Sequence, residues 1–181
     1  MQNLIPTLQT ERLILRPLRL EDAQGGLKYI QNPNVTRYTM WDPYRSVEEA
    51  QGFIQMYVFA NYANGAPEPL GIALRSNPSE LIGTTGCFWV GESQTQMELA
   101  YVLAEEFWGH GYATEASKAI MDYCFQIYKD VVRIQARCKV ENTASVRVLE
   151  KLGMKFEGTL RSQFYHRQRH WDIHYYATIR E

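Results

Sequence analysis

The run Trp108-Gly109-His110-Gly111-Tyr112-Ala113-Thr114 has the residue types and spacing of an anion cradle. Glycines two apart let a backbone take positive φ values and approach a ligand closely. A helix opening directly after them presents unsatisfied N–H groups and the positive end of its dipole at one point. A pyrophosphate suits such a point. An apolar run, Leu99 to Leu103, feeds this turn, and an amphipathic stretch leaves it.

Other chemistry-bearing groups are sparser. His166, His170 and His174 recur every four residues, which is a metal-ligand spacing on a helix. Their segment reads as a hairpin, where His170, Asp172 and His174 share a strand face and could line a pocket. Cys87, Cys124 and Cys138 are odd in number and lack any CxxC spacing, so neither a disulfide framework nor a zinc site is indicated. They read as small apolar core residues. No metal is expected.

The elements that must position the turn can be read from periodicity. Arg12 to Leu20 reads as a strand, Leu13 and Leu15 pointing one way, Ile14 and Arg16 the other. Pro17 suits an edge or bulge there. A helix starts near Glu21 and ends at Asn32-Pro33-Asn34, where an irregular stretch runs on through Trp41-Asp42-Pro43. Ser46 with Glu49 forms a capping box before a helix striped by Val47, Ala50, Phe53, Ile54, Tyr57 and Val58. Three strands follow between Leu70 and Leu103, divided by Ser76-Asn77-Pro78 and Gly91-Glu92-Ser93, and such short gaps favour antiparallel neighbours.

Glu115 to Tyr128 repeats apolar residues at helical spacing (Ala116, Ala119, Ile120, Tyr123, Cys124, Ile127). Val131 to Lys139 alternates strictly, with Val132, Ile134, Ala136 and Cys138 on one face and Arg133, Gln135, Arg137 and Lys139 on the other. A strand with one buried side has that pattern. The helix between makes it parallel to the strand before the turn. A short helix, Ala144 to Leu152, is capped from Asn142 or Thr143 and stopped by Gly153. Lys155 to Tyr165 and Trp171 to Ile179 close the chain as a hairpin about Arg167-Gln168-Arg169. The sum is an α+β fold: a mostly antiparallel mixed sheet, one parallel βαβ step in the middle, and helices on both faces.

A chain of 181 residues fits a single domain spanning 1–181. Its 45% apolar and 22% charged residues are ordinary for a globular protein. A net charge of −1 gives no reason to expect nucleic acid or an anionic membrane as partner. No basic leader with a long apolar run opens the chain, so a cytoplasmic location is the default.

ELAYVLAEEFWGHGYATEA (Glu98 to Ala116) followed by ENTASVRVLEKLGMKFEG (Glu141 to Gly158) resembles the GNAT superfamily of acetyl-CoA-dependent N-acetyltransferases. TERLILRPLRLEDA (Thr10 to Ala23) and GTLRSQFYHRQRHWD (Gly158 to Asp172) are similar to its RimJ/RimL-like branch, whose members include ribosomal-protein N-terminal acetyltransferases. The resemblance implies two strands that splay apart, with the pantetheine arm of acetyl-CoA in the V, bonded to backbone near Val102 and Leu103. It implies a pyrophosphate on Gly109, His110, Gly111, Tyr112, Ala113 and Thr114. Trp108 stands where the superfamily usually has Arg or Gln and marks the branch, so amides rather than a guanidinium hold the phosphate. Asn142 matches the asparagine that contacts the pantetheine amides. Lys118 and Arg147 read either as ribose-phosphate contacts or as solvated charges.

The implied reaction has its own demands. An alkylamine of pKa about 8 to 10 is mostly ammonium at neutral pH and must lose a proton before it attacks. Glu98 matches the strand glutamate that acts as base in several members, and lies on the Val102 face. An N–H near Leu99 or Ala100 would meet the oxyanion. Leu149 occupies the position where many members place a tyrosine that protonates the leaving thiolate, which leaves Ser145 as the donor. Tyr38, Trp41, Trp89 and Phe164 read as core residues or as an acceptor wall. The expected activity is direct acetyl transfer to a primary amine, first of all a peptide N-terminal α-amine. A small amine such as a polyamine or amino sugar, and a non-catalytic acyl-CoA sensor, are the alternatives. The resemblance also allows a homodimer. A nicotinamide-dependent oxidoreductase fits poorly, since Thr114 occupies the place of the third glycine and no doubly wound pattern surrounds the turn.

Overall fold

A computed structural model describes residues 5–180, so the reading of the N-terminus as leader-free falls partly outside the described residues. Eight strands make one sheet in the order β1-β2-β3-β4-β5-β6-β8-β7. They are β1 (Leu8–Gln9), β2 (Leu13–Pro17), β3 (Leu70–Leu74), β4 (Asn77–Trp89), β5 (Gln96–Leu103), β6 (Arg133–Lys139), β7 (Lys155–His166) and β8 (Arg169–Ile179). Every pairing is antiparallel except β5 with β6. The expected α+β architecture with one parallel step is the one observed. Among the described residues no helix is long and apolar enough to cross a membrane.

Helices α1 (Asp22–Ile30), α2 (Pro33–Thr36), α3 (Val47–Phe53) and α4 (Phe59–Ala63) lie before β3 in the chain; α5 (Tyr112–Ile127) and α6 (Thr143–Lys151) follow β5 and β6. On one sheet face Ala116, Ile120 and Cys124 of α5 and Leu149 of α6 pack against Leu13, Leu15, Met97 and Ile134. On the other, Ala50, Ile54 and Val58 pack against Leu18, Ala73 and Leu81. Of the stripe predicted for the helix after Ser46, Ala50, Ile54 and Val58 are buried, Val47 and Phe53 half-buried, and Tyr57 exposed.

Three local readings differ. The helix after Ser46 is not uniform: α3 passes through a π-helical turn, Ile54–Val58, into α4. Asn32, expected only to end a helix, caps the short α2 by accepting from the Asn34 N–H at 2.9 Å, with Pro33 at the first helical position. The turn expected at Ser76-Asn77-Pro78 sits one residue earlier, because Asn77 already pairs with Leu74.

Lys139 overturns the assignment of one β6 face to solvent. Its side chain is fully buried. Its ammonium donates to the Thr39 carbonyl at 3.0 Å and lies 4.1 Å from the Trp171 ring centre. The segment after α2 covers that face of β6, and burial with Arg167 nearby pulls the Lys139 pKa down to about 8. At the other end Val132, expected inward, is exposed because β6 begins only at Arg133.

Candidate active site

Strands β5 and β6 pair only at Gln96–Arg133, Met97–Ile134 and Glu98–Gln135. Both continue, β5 to Leu103 and β6 to Lys139, but apart; β6 instead keeps its full pairing with β8. The expected splay is present. It opens a cleft of about 1120 Å³ that runs from the start of α5, between the strands, to the face covered by α1 and α3.

The backbone lining this opening follows from ladder alternation. Val90 donates to the Gln96 carbonyl and Ala104 donates to the Ile82 carbonyl. In an antiparallel pair every second residue turns both its groups toward the partner. Glu98, Ala100 and Val102 therefore spend their backbone groups on β4; Leu99 spends its N–H on Gln135 of β6, which the Glu98–Gln135 pair requires, and only its carbonyl, with the groups of Tyr101 and Leu103, faces the cleft. Leu103 keeps only its N–H free, since Trp108 Nε1 donates to its carbonyl at 2.9 Å. Val102, expected to bond the pantetheine through its backbone, instead lines the cleft with its side chain.

The turn after β5 has the geometry read for it. Gly109 and Gly111 sit at φ +78° and +81°, where a side chain is strained. Gly111 is the N-cap of α5 and supplies no side-chain cap. The first-turn N–H groups, Tyr112, Ala113 and Thr114, are left free for a ligand. The helix begins three residues earlier than the periodicity suggested. Arg12 braces the loop from β2's side: it donates to the His110 carbonyl at 2.9 Å, ion-pairs with Glu115 at 2.6 Å and stacks on Tyr112. His110 also stacks on the Tyr112 ring, 5.6 Å between centroids. Sequence reasoning missed Arg12, whose partner lies 103 positions away. Lys118 is tied to Asp122 on the surface, whereas Arg147 lines the cleft.

Asn142 caps α6, its Oδ1 accepting from the Ser145 N–H at 3.1 Å. Among the described residues its Nδ2 donors have no partner, and Asn142 lines the cleft. Ser145 Oγ lies 2.5 Å from the Tyr101 hydroxyl. Burial pushes the Tyr101 phenol above its usual value, so it is protonated at neutral pH. Tyr101 was not singled out from the sequence. It could have been, since a residue three from Glu98 on a strand points to the opposite sheet face.

On the α1 face Glu98 is buried, and both its oxygens are engaged: Oε1 accepts from Arg137 Nε and Oε2 from Gln135 Nε2, each at 2.8 Å. The isolated glutamate of the sequence has two fixed partners. A second carboxylate, Glu68, shares the cleft and is 7% exposed. Burial, with Glu98 nearby, pushes its carboxyl up to about 7. Tyr29, Tyr44, Phe53, Tyr57 and Phe88 line this end, together with the expected Tyr38 and Trp41. The other two candidates for an aromatic wall lie elsewhere. Trp89 donates to the Asn64 carbonyl and packs on Tyr128, and Phe164 is in the outer hairpin.

The histidines do not converge. His166 faces Asp42, His170 the Ser162 carbonyl, and His174 Thr159, and none lines the cleft. Among the described residues no group of three His, Cys, Asp or Glu side chains could hold a metal ion. All three cysteines are free and buried; Cys138 also forms part of the cleft wall.

Residues 12–155 match the family described as Acetyltransferase (GNAT) domain. An uncharacterized N-acetyltransferase, p20, of Bacillus licheniformis is 33% identical over 96% of both chains. The solved structure of RimL, a ribosomal L7/L12 α-N-protein acetyltransferase in complex with coenzyme A, superposes with a TM-score of 0.84, at 21% identity and 97% coverage of each chain. Spermidine N-acetyltransferase from Vibrio cholerae, in complex with CoA and spermine, gives 0.79 at 23% identity, covering 94% of this chain and 96% of its own.

Proposed function

This chain belongs to the GNAT acetyltransferase family, and from that premise we propose that it transfers the acetyl group of acetyl-CoA directly to a primary alkylamine that arrives as an ammonium ion. One observation carries this reading: a single cleft joins the free N–H groups opening α5 to a pocket that holds Glu68, Glu98 and a ring of aromatic side chains. The diphosphate and the amine thus have separate ends of one passage.

The residues divide along it. The amides of Tyr112, Ala113 and Thr114 bind the pyrophosphate, with Gly109, His110 and Gly111 shaping the loop and Trp108 pinning it to Leu103. The carbonyls of Leu99 and Tyr101 and the N–H of Leu103, together with Asn142 Nδ2, bond the pantetheine. The N–H of Tyr101, the first on β5 past the pairing with β6, meets the carbonyl oxygen as it gains charge. Glu98, held by Arg137 and Gln135, puts fixed negative charge where the ammonium enters. On the far sheet face Tyr101 and Ser145 form the donor pair for the departing sulfur.

A peptide α-amine and an aliphatic polyamine both enter as cations. The structurally similar proteins include both kinds, a ribosomal-protein acetyltransferase and a spermidine acetyltransferase. Two carboxylates within an aromatic pocket favour the more strongly basic alkylammonium, which gains most from a fixed negative charge and from ring faces. A thiol-release assay with acetyl-CoA separates the readings, run with spermidine, a monoamine and peptides with free or blocked N-termini. Release with the alkylamines is expected. Release with the free-N-terminal peptides alone selects the protein-acceptor reading, and CoA binding without release with any amine identifies a sensor.

A further inference from the structure

Glu68 is a buried carboxylate at the amine end of the cleft. It precedes β3 and lies directly over Gly86 of β4: a side-chain carbon added at Gly86 would come within 2.5 Å of the Glu68 Cα and of the Pro67 carbonyl oxygen. Gly86 pairs with Ala100, and the next pair along the same face is Phe88 with Glu98. Glu68 and Glu98 therefore occupy neighbouring positions on one sheet face, at the point where β5 leaves β6.

Their surroundings differ in the feature that matters for a proton. Glu98 has a donor on each oxygen, one of them the Arg137 guanidinium, so an incoming proton would have to share an oxygen with Arg137 or Gln135. At Glu68, Asn61 Nδ2 donates to Oε2 at 2.8 Å and to the residue's own carbonyl at 3.1 Å, which fixes the side chain. Besides Asn61, the donor available to this carboxylate is the Tyr57 hydroxyl, whose hydrogen bond favours the ionised form. The Tyr57 hydroxyl stands beside this carboxylate, carried on the π-helical turn that widens the helix after α3.

We infer that Glu68, rather than Glu98, takes the proton from the incoming ammonium, and that Glu98 serves as the fixed charge drawing the ammonium between the two carboxylates. This rests on the acetyl-transfer reading. One nitrogen proton passes to Glu68 Oε1, freeing the lone pair. As that pair forms the C–N bond and the C–S bond breaks, the nitrogen's second proton replaces the one that the Tyr101–Ser145 pair gives to sulfur. Glu68 then releases its proton to water. The titratable groups facing it are Tyr44, Tyr57, Tyr62 and Glu98. Burial raises the three tyrosines above their ordinary values, so none of them is an anion competing for the proton near pH 7.

The test compares Glu68→Gln and Glu98→Gln, both near-isosteric, with spermidine as acceptor. For the wild type, kcat/KM should rise with pH to a plateau near neutrality. Glu68→Gln should lose about a hundredfold at pH 7 and climb back toward the wild type as pH approaches the amine's own pKa. Glu98→Gln should raise KM for spermidine while keeping the shape of the wild-type profile. A second readout needs no turnover: in protein carrying 13C-carboxyl glutamate, one resonance should titrate near neutrality and be missing from Glu68→Gln. An unchanged pH profile in Glu68→Gln, or the profile change appearing in Glu98→Gln instead, would overturn the assignment. Calorimetry with CoA separates the two levels, since absence of binding to the wild type sinks acetyl transfer itself.

Discussion

The hydroxyl of Tyr101 lies 2.5 Å from Ser145 Oγ, joining the middle of β5 to the first turn of α6 across the splay. Glu98 is three residues earlier on the same strand, so the two residues point to opposite faces of the sheet. An acyl transfer needs such a division, with proton removal on the amine side and proton supply on the sulfur side. Tyr101→Phe deletes the buried hydroxyl with no change of shape. Turnover should fall about tenfold, a modest loss because a thiolate of pKa about 8.5 leaves tolerably unaided. Stopped-flow thiol release against CoA affinity checks it: affinity should hold while the chemical step slows.

The backing of the phosphate loop gives a second expectation. Arg12 holds the His110 carbonyl, Glu115 and the Tyr112 ring at once. Arg12→Ala frees the loop without touching the amine pocket. CoA affinity should weaken about tenfold, or ~1.4 kcal/mol, as seen by calorimetry, with KM for the acceptor unaltered. A loss confined to the acceptor would show that Arg12 works elsewhere.

The parts of the site built from neighbours in sequence could be read without coordinates. Gly109 to Thr114 lie in one turn, Asn142 and Ser145 in one cap, and a period of two puts Glu98 on the Val102 face. Glu68 could not be read that way. Its place depends on Gly86 offering no side chain and on a π-helical turn that departs from the 3.6-residue period used to recognise the helix. Lys139 was misread for a related reason: alternation reports which side chains share a face, and only the course of the segment around Thr39 decides that the face is covered. The backbone edge at Val102 was misplaced because sequence carries no signal of which residues bond to β4.

Gly86 gives a third expectation. The atoms that an added carbon would meet at 2.5 Å are backbone or Cα atoms of Pro67 and Glu68, which cannot swing aside as a flexible side-chain end can. Gly86→Ala must therefore displace the segment carrying Glu68. Stability should drop by about 1–3 kcal/mol, the usual cost of overpacking, and the neutral-pH advantage in kcat/KM should disappear with it. Urea denaturation beside a pH–rate profile tests both. Wild-type values in each would mean the contact is not sustained.

Glu68 also makes stability depend on pH in a definite direction. Burial, with Glu98 nearby, raises its carboxyl from the ordinary 4.5 to about 7 in the folded protein. A carboxyl whose folded pKa exceeds its unfolded one contributes stability that is complete below about pH 4.5 and is lost as pH rises through 7. Holding the ionised form above neutrality therefore costs on the order of 3 kcal/mol at the rate of 1.36 kcal/mol per unit. Glu68→Gln cannot ionise and retains an acceptor for Asn61 Nδ2. The variant should match the wild type in urea titrations at pH 4.5 and exceed it at pH 8, by up to that amount. Such a pairing of lower activity with greater stability is what a strained, functional carboxylate produces. Equal midpoints at pH 8 would show instead that the charge at Glu68 is well solvated, and would remove the physical reason for its basicity.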